Sequence, residues 1–277
     1  MNQLPIGVFD SGIGGLTVLA ALSRALPSED LLYLGDTARV PYGTRSPETV
    51  TRYSARVASH LYRRGVKALV IACNTATTHA LPTLTAAGAA VGVPVIGVVK
   101  PGVDEADRLS RGRHVAILGT EGTVRAGRYQ AALEARGLRA EGVACPLFVS
   151  LAEEGWIDGD VPRLVAERYL GGLRGGPDTV ILGCTHFPLL RPIIQAVLPG
   201  VTLIDSAEAT AVATAKALGE AGLLRAETRP GRRDFLVTDN LERFVTVGRT
   251  FLGQPPEPAM LVDLDEAVGP FHEPPAR

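Results

Sequence analysis

Two of the three cysteines in this chain follow short apolar runs and precede small polar residues, a setting in which a thiol can do chemistry. Cys73 ends the run KALVIAC (67–73), and Cys184 ends the run DTVILGC (178–184). A thiol between a strand and a helix lies near the positive end of the helix dipole, which lowers its pKa from about 8.5 toward neutrality. Such a group can serve as a base when ionised and as an acid when protonated. Because two of them facing each other could remove and return a proton on opposite faces of one carbon, the pair predicts inversion of a stereocentre.

The alternative for each thiol is a small buried side chain, since free cysteines are often found in protein cores. Both Cys73 and Cys184 have polar neighbours and occupy matched positions in an internal repeat, so we favour the reactive interpretation. Cys145 has no polar companion and precedes Pro146, so we expect it to fill the core or a loop.

Ionisable side chains accompany both thiols. His186 follows the second thiol and could assist it or bind a substrate carboxylate, whereas bonding to a backbone carbonyl is the structural alternative. Asp10 takes the corresponding place near the first thiol, with helix capping as its alternative. Asp36 is either a supporting carboxylate or a turn residue, and Glu153, beside Glu154, is either a supporting carboxylate or a solvated charge.

These side chains need a scaffold, and the chain supplies one by alternating apolar runs with amphipathic stretches. Continuous apolar strands separated by helices are typical of a parallel sheet covered on both faces, so we predict an α/β fold. Ligands bind such sheets beyond the carboxyl ends of the strands, where the residues above are placed. Strands are predicted at 4–10, 30–36, 67–73, 93–99, 113–120, 138–145, 178–184, 201–205, 233–239 and 259–264. Helices are predicted at 14–26, at 47–64 and at 161–173, the last with Asp160 as its cap. Four more are predicted with one bound each: one begins near Thr75, one ends near Arg136, one ends near Leu223 and one begins near Leu241.

The pattern restarts in the second half, which indicates an internal duplication. VIACNTATTHAL (70–81) aligns with VILGCTHFPLL (180–190), and GVFDSGIGG (7–15) aligns with VAILGTEGT (115–123), at nearly the same spacing. Each half then brings one thiol to a shared cleft. The predicted domains are residues 1–98 with 207–265 for the first, 99–206 for the second, and a loose Pro-rich tail at 266–277.

Composition argues against several classes of function. The formal net charge of −1 gives no support for binding nucleic acid or an anionic membrane, and no apolar run approaches the roughly 20 residues that span a bilayer. Three cysteines without a CxxC pair or a Cys/His metal spacing indicate neither a disulfide framework nor a metal site. The first residues lack a basic segment followed by an apolar stretch, so we expect no signal peptide and a reducing, cytoplasmic location.

The segment DSGIGG (10–15) suggests a phosphate-binding loop, because glycines after a strand can open a helix around an anion. However, Thr17 occupies the third glycine position of the dinucleotide fingerprint, and the phosphate loop GxxxxGK[ST] is absent. The backbone amides of these glycines could instead bind a substrate carboxylate. In the loop ARVPYGTRS (38–46), Tyr42 and Gly43 could reach over the cleft.

Taken together, these motifs resemble those of bacterial glutamate racemases, in the aspartate/glutamate racemase superfamily. The resemblance follows the family order from residue 6 to residue 207, and the segment after about Gln254 is not part of it. It rests on IGVFDSGIGGLTVL (6–19), LYLGDTARVPYGTRS (32–46), VIACNTAT (70–77), PVIGVV (94–99), VAILGTEGTV (115–124), LAEEGW (151–156), VILGCTHFPLL (180–190) and LIDSA (203–207).

The resemblance implies two pseudo-symmetric α/β domains with mainly parallel sheets, the active site in the cleft between them, and no pyridoxal phosphate, nucleotide or metal. It implies that Cys73 takes the α-proton of D-glutamate and Cys184 that of L-glutamate. Asp10 and His186 would assist these thiols. The residues implied to support them are Asp36 and Glu153, and those implied to contact substrate are Asp10, Ser11, Tyr42, Gly43, Asn74, Thr75, Thr185 and His186.

The implied activity is cofactor-independent interconversion of L- and D-glutamate, an isomerase reaction that supplies D-glutamate for peptidoglycan in the cell wall. Members of the family are usually homodimers, and the implied partner is glutamate, with no nucleic acid and no membrane. Racemisation of aspartate or another small diacid is an alternative, because cleft depth sets the accepted chain length. A non-catalytic two-domain binding protein is another, although it would not need paired thiols. A NAD-dependent enzyme is disfavoured by Thr17.

Overall fold

A computed structural model describes residues 2–264 and Phe271. Ten β-strands and eleven α-helices lie within these residues. The strands are β1 (Ile6–Asp10), β2 (Leu31–Gly35), β3 (Ala68–Ile71), β4 (Val95–Gly97), β5 (His114–Gly119), β6 (Arg139–Ala144), β7 (Thr179–Gly183), β8 (Thr202–Asp205), β9 (Arg233–Val237) and β10 (Ala259–Leu261). The helices are α1 (Leu16–Ala25), α2 (Pro47–Arg63), α3 (Asn74–Val91), α4 (Val99–Leu109), α5 (Glu121–Ala126), α6 (Arg128–Glu134), α7 (Leu147–Glu153), α8 (Asp160–Leu170), α9 (Arg191–Val197), α10 (Ser206–Glu220) and α11 (Leu241–Leu252).

The strands form two parallel sheets, which confirms the predicted α/β class. One sheet has the order β10-β9-β2-β1-β3-β4, and the other has the order β6-β5-β7-β8. Every strand pair is parallel. The central strands are buried along their whole length, as expected when helices cover both faces of a sheet.

The two sheets share one topology over four strands. The run β2-β1-β3-β4 of the first sheet repeats as β6-β5-β7-β8 in the second, so β3 and β7 are equivalent. Cys73 comes shortly after β3, and Cys184 comes directly after β7. The duplication inferred from the motifs therefore matches the topology, and it brings one thiol to the carboxyl edge of each sheet.

Apolar side chains fill both faces of each sheet. On β1, Ile6 and Val8 pack into one cluster and Phe9 into the cluster on the opposite face, as alternation along a strand requires. Two further clusters flank the second sheet. Each fully buried apolar side chain of this size contributes about 1.5–3 kcal/mol, so the sheet edges that carry the thiols rest on rigid cores.

The chain leaves the first sheet after β4 and returns to it at β9. Helix α4 packs on strands of the second sheet, and α10 packs against α1. Val98 and Ser206, close to the predicted domain boundaries, lie in these two crossings, and the boundaries themselves remain a prediction. Most of the predicted tail lies outside the described residues. Phe271 is the exception, and it is not loose, because its ring packs edge-on against Tyr62 with the centroids 5.2 Å apart.

Several sequence predictions about local structure were wrong. The helix predicted up to Arg136 is broken at Gly127, whose φ of +66° ends α5 before α6 begins. Asp160 is the first residue of α8 rather than its cap, which is Gly159. Helix α7, which ends at Glu153, was not among the predicted helices. A 3-10 helix separates Cys184 from α9, so this thiol does not lie directly at an α-helix start.

Within the described part of the chain, no helix is both long enough and apolar enough to cross a membrane.

Candidate active site

A cavity of about 240 Å³ lies at the carboxyl edges of the two sheets, and both thiols line it. It is smaller than the roughly 300–1,000 Å³ of pockets for drug-sized ligands, so it suits a small metabolite. The predicted site residues that line it are Ser11, Tyr42, Gly43, Cys73, Asn74, Thr75, Glu153, Cys184, Thr185 and His186. Asp10 and Asp36 do not line it; both are buried behind it.

Cys73 is the N-cap of α3, where the strand-to-helix turn exposes its sulfur to the cavity. Its Sγ accepts a hydrogen bond from the backbone amide of Ala76 at 3.4 Å. The thiol also lies 3.6 Å from the hydroxyl oxygen of Ser11, to which it can donate. The residue is 6% exposed, so only a small part of its surface reaches the cavity.

The prediction of a lowered thiol pKa is wrong for Cys73. Burial and, to a smaller extent, the nearby carboxylate of Asp10 together raise the pKa of this thiol to about 12, although the hydrogen bonds from Ala76 and with Ser11 lower it in part. The backbone amide of Ala76 at the start of the helix lowers the pKa by less than burial raises it. At neutral pH the sulfur carries its proton, which makes Cys73 a proton donor.

Asp10 ends β1 beside the cavity wall. Its Oδ2 accepts a hydrogen bond from the backbone amide of Gly12 at 3.0 Å, while its Oδ1 has no hydrogen-bond partner among the described residues. Burial raises the pKa of Asp10, and the positive charge of His186 offsets part of that effect. Asp10 therefore keeps its proton to a higher pH than an exposed aspartate does.

Cys184 belongs to a chain of three side chains. Its Sγ lies 3.7 Å from Nδ1 of His186, and Nε2 of the same ring lies 3.1 Å from Oε1 of Glu153 on α7. Phe251 packs edge-on against the imidazole, with ring centroids 5.3 Å apart. The carboxylate thus orients the imidazole that faces the thiol, an arrangement that assists proton transfer at sulfur.

His186 is the cation of this cavity. Burial lowers the pKa of its imidazole, but the hydrogen bonds with Cys184 and Glu153 outweigh burial and raise the pKa to about 10. The described residues that line the cavity include no Lys or Arg, and their other charged side chains are Glu121 and Glu153. An acidic ligand therefore meets its positive charge at His186.

We expect the His186 ion pair to make the free energy of unfolding fall as the pH rises above neutrality. The folded pKa of about 10 exceeds the reference value of 6.5, so this stabilisation is complete below pH 6.5 and is lost as the pH approaches 10. From pH 7 to about pH 8.5 the slope approaches about 1.4 kcal/mol per pH unit for one proton.

Denaturant unfolding across this window measures that slope, and His186→Gln should flatten it. His60 and His79 do not interfere, because their lowered pKa values place their titration below the window. An equal slope in the variant and the parent protein would contradict the assignment of a charged His186.

Asp36 holds the loop that covers the cavity. Its Oδ2 accepts a hydrogen bond from the hydroxyl of Tyr42 at 2.7 Å, and its Oδ1 accepts from Arg39 at 2.7 Å and from Thr238 at 2.9 Å. The ring of Tyr42 therefore faces the cavity while its hydroxyl is engaged behind it. Asp36 acts on the loop rather than on a ligand.

Polar groups from the two sheets meet across the cleft. The hydroxyl oxygen of Thr75 lies 3.0 Å from that of Thr120 and 3.2 Å from that of Thr123. Asn74 accepts a hydrogen bond from Tyr129 at 2.7 Å, and its buried amide nitrogen has no partner among the described residues. This amide and the threonine hydroxyls are donors available to a bound anion.

The described residues contain no group of three or more His, Cys, Asp or Glu side chains that could hold a metal ion.

Sequence reasoning missed half of the cavity lining. Thr120 was noted at a strand end but was not included among the site residues. The others come from the segment after β1, the covering loop, the start of α5 and the α7 region, whose helix was not predicted. Apart from the carboxylate of Glu121, they carry no ionisable or nucleophilic group of the kind that marked the predicted residues. The lining residues missed are Gly12, Ile13, Val40, Pro41, Thr44, Thr120, Glu121, Pro146, Val149 and Ser150.

Two thiols that follow equivalent strands, line one cavity and each have an ionisable neighbour define an α/β enzyme suited to proton transfer at carbon. A family model described as Asp/Glu/Hydantoin racemase matches residues 6–214. The chain belongs to this family and is an isomerase.

Known glutamate racemases are similar to this chain over nearly all of its length. The protein from Geobacter metallireducens is 50% identical over 252 residues, which cover 90% of this chain and 92% of that protein. The crystal structure of glutamate racemase from Thermus thermophilus in complex with β-chloro-D-alanine superposes with a TM-score of 0.88 at 48% identity, covering 96% of this chain and 99% of that one. The Francisella tularensis enzyme in complex with D-glutamate gives a TM-score of 0.89 at 36% identity, with the same coverage. These similarities confirm the predicted family resemblance.

Proposed function

We propose that this protein is a cofactor-independent glutamate racemase that uses Cys73 and Cys184 as its two acid–base groups. The observation that carries the proposal is that both thiols line one cavity at the ends of equivalent strands. Extensive similarity to glutamate racemases supports the choice of substrate, as does the D-glutamate complex of the Francisella tularensis enzyme.

In the L-to-D direction, Cys184 removes the α-proton and Cys73 delivers a proton to the opposite face. Cys73 is suited to this delivery because its raised pKa keeps it protonated at neutral pH. The positive charge of His186, 3.7 Å from the sulfur of Cys184, attracts the negative charge that this thiol carries when it acts as a base. In the D-to-L direction the two thiols exchange roles.

The α-hydrogen of an amino acid is very weakly acidic, so the site must stabilise a developing carbanion without a cofactor as electron sink. Hydrogen-bond donors that are held in position, in a site from which water is excluded, supply such stabilisation. The amide of Asn74 and the hydroxyls of Ser11, Thr75 and Thr185 are placed for the two carboxylates. Asp10 lies behind the cavity wall, so it acts on the neighbouring thiol of Cys73 rather than directly on the substrate.

The substrate is tested by incubating the purified protein separately with L-glutamate and L-aspartate and following optical rotation. We expect rotation to decay to zero with L-glutamate and to persist with L-aspartate, without added pyridoxal phosphate or metal. Decay with aspartate alone would overturn the choice of substrate.

The non-catalytic alternative makes a separate prediction. Calorimetry with glutamate should then show binding in the parent protein and in both Cys→Ser variants, with no turnover in any of them. Turnover in the parent protein that disappears in Cys73→Ser would reject this alternative.

The remaining assignments extend the family resemblance. We propose that the product D-glutamate serves peptidoglycan synthesis and that the protein acts in the cytoplasm as a homodimer. Sedimentation at several protein concentrations, with and without glutamate, tests the dimer.

A further inference from the structure

Arg243, at the start of α11, reaches the catalytic region without lining the cavity itself. Its guanidinium lies 3.2 Å from Oε2 of Glu153 and 3.6 Å from Oε1 of Glu154. The other carboxylate oxygen of Glu153 faces His186. Both oxygens of Glu153 are therefore engaged, one by the imidazole and one by the arginine.

This double engagement fixes a carboxylate that would otherwise be free to turn. The side chain of Glu153 is 26% exposed, so water can compete for its bond to His186. A charged bond from the opposite side holds the plane of the carboxylate, and through it the direction in which the imidazole faces Cys184. Fixing one catalytic side chain through another restricts the site to its productive geometry.

The arginine also joins two distant parts of the chain. Helix α11 lies between β9 and β10 of the first sheet, whereas α7 follows β6 of the second sheet. A second cavity of about 210 Å³ is lined by both Glu153 and Arg243, and Glu153 lines the catalytic cavity as well. The contact thus ties the first sheet to the His186 side of the reaction.

We propose that Arg243 is a positioning residue that acts through Glu153 and His186 on proton transfer at Cys184, and not on transfer at Cys73. This inference rests on the proposed racemase function. The charged groups that face Glu153 are His186, Arg243 and the adjacent Glu154; those that face His186 are Cys184, Glu153 and Asp10.

Isotope effects separate the two sides of the reaction. The equilibrium constant between the two enantiomers is one. A variant that changes kcat/KM must therefore change it by the same factor in both directions. A slower Cys184 step becomes more rate-limiting in both directions, but the substrate's own α-deuterium moves in that step only when the substrate is L-glutamate. The deuterium effect on kcat/KM should therefore rise with L-[2-²H]glutamate and fall with D-[2-²H]glutamate.

We expect Arg243→Gln to lower kcat/KM by about tenfold, as loss of a charged hydrogen bond does, and to shift the two isotope effects in these opposite directions. Arg243→Lys should recover part of the rate, because it keeps the charge. Arg249→Gln is the matched control, since it removes the same charge from an exposed position on the same helix. Glu154→Gln tests the other ion pair, and both controls should retain the isotope effects of the parent protein.

Isotope effects in Arg243→Gln that match those of Arg249→Gln, or that shift together for both enantiomers, would overturn the proposal. If Arg243→Gln does not fold, Arg243→Lys should show smaller shifts of the two isotope effects, again in opposite directions. Failure of the racemase assignment is distinguishable, because the parent protein itself would then not racemise glutamate.

Discussion

Replacing either active-site thiol with serine is expected to lower racemisation by about 10²–10⁴-fold, the usual contribution of a positioned acid or base. A serine hydroxyl occupies nearly the same volume as the thiol but is a far weaker acid. It stays protonated near neutral pH, so it cannot remove the α-proton as a base. Because inversion requires both groups, Cys73→Ser and Cys184→Ser should each nearly abolish the change in optical rotation.

The two variants should differ in which enantiomer still exchanges its α-proton with solvent. In deuterated water, Cys73→Ser keeps Cys184 and should retain exchange from L-glutamate while losing it from D-glutamate. Cys184→Ser should show the reverse. Proton NMR of the α-hydrogen measures both rates, and circular dichroism checks that each variant is folded.

Cys145→Ser is the matched control for these variants. This third thiol is fully buried and faces the backbone oxygen of Val143 at 3.6 Å, away from the cavity lining. The exchange rates from both enantiomers should remain near those of the parent protein. If Cys73→Ser and Cys184→Ser slowed exchange from the two enantiomers equally while remaining folded, the division of roles between the thiols would be wrong.

The sequence was sufficient to predict where the thiols lie but not how they are tuned. Strand ends can be located from apolar runs, and the repeat pairs Cys73 with Cys184, so their shared edge follows from topology. The pKa of Cys73 could not be predicted, because it is raised by burial in the folded protein and by the charge of Asp10, which lies far away in the chain. A helix dipole is local and visible in a sequence, whereas burial is a property of the fold.

Among the groups that support the thiols, some could be identified from the sequence and others could not. His186 and Asp10 were identifiable because each lies at a strand end beside reactive residues. Arg243 was not identifiable, because an arginine on an amphipathic helix has no sequence feature that indicates its contact with Glu153, 90 residues away. The helix that carries Glu153 was also missed, so the direction of this carboxylate could not be inferred.

The glycines of DSGIGG show a role that the sequence did not indicate. They were interpreted as backbone donors for an anion, but Gly14 and Gly15 also leave space for catalytic side chains. A Cβ at Gly14 would lie 2.4 Å from the hydroxyl of Thr185 and 2.5 Å from the ring of His186. A Cβ at Gly15 would lie 2.4 Å from the Cβ of Asp10. Each glycine therefore stands against the assisting residue of a different thiol.

Gly14→Ala should accordingly displace His186 from Cys184 and lower kcat/KM by about 10²-fold, the cost of a misplacement near 1 Å. The overpacking should also lower the free energy of unfolding by about 1–3 kcal/mol. Gly15→Ala should have a similar effect through Asp10. Gly219→Ala is the control, because its Cβ would find no atom closer than 3.6 Å and it lies in helix α10, where alanine is favourable.

The two alanine variants should have opposite isotope signatures, which separates displacement of a catalytic side chain from a general loss of stability. Gly14→Ala slows the Cys184 step, so the deuterium effect should rise with L-glutamate and fall with D-glutamate. Gly15→Ala slows the Cys73 step, so the two changes should be reversed. Destabilisation alone would reduce the amount of active protein without altering either isotope effect. Full activity in Gly14→Ala would mean that His186 can shift without cost, and the imidazole could not then be the group that directs proton transfer at Cys184.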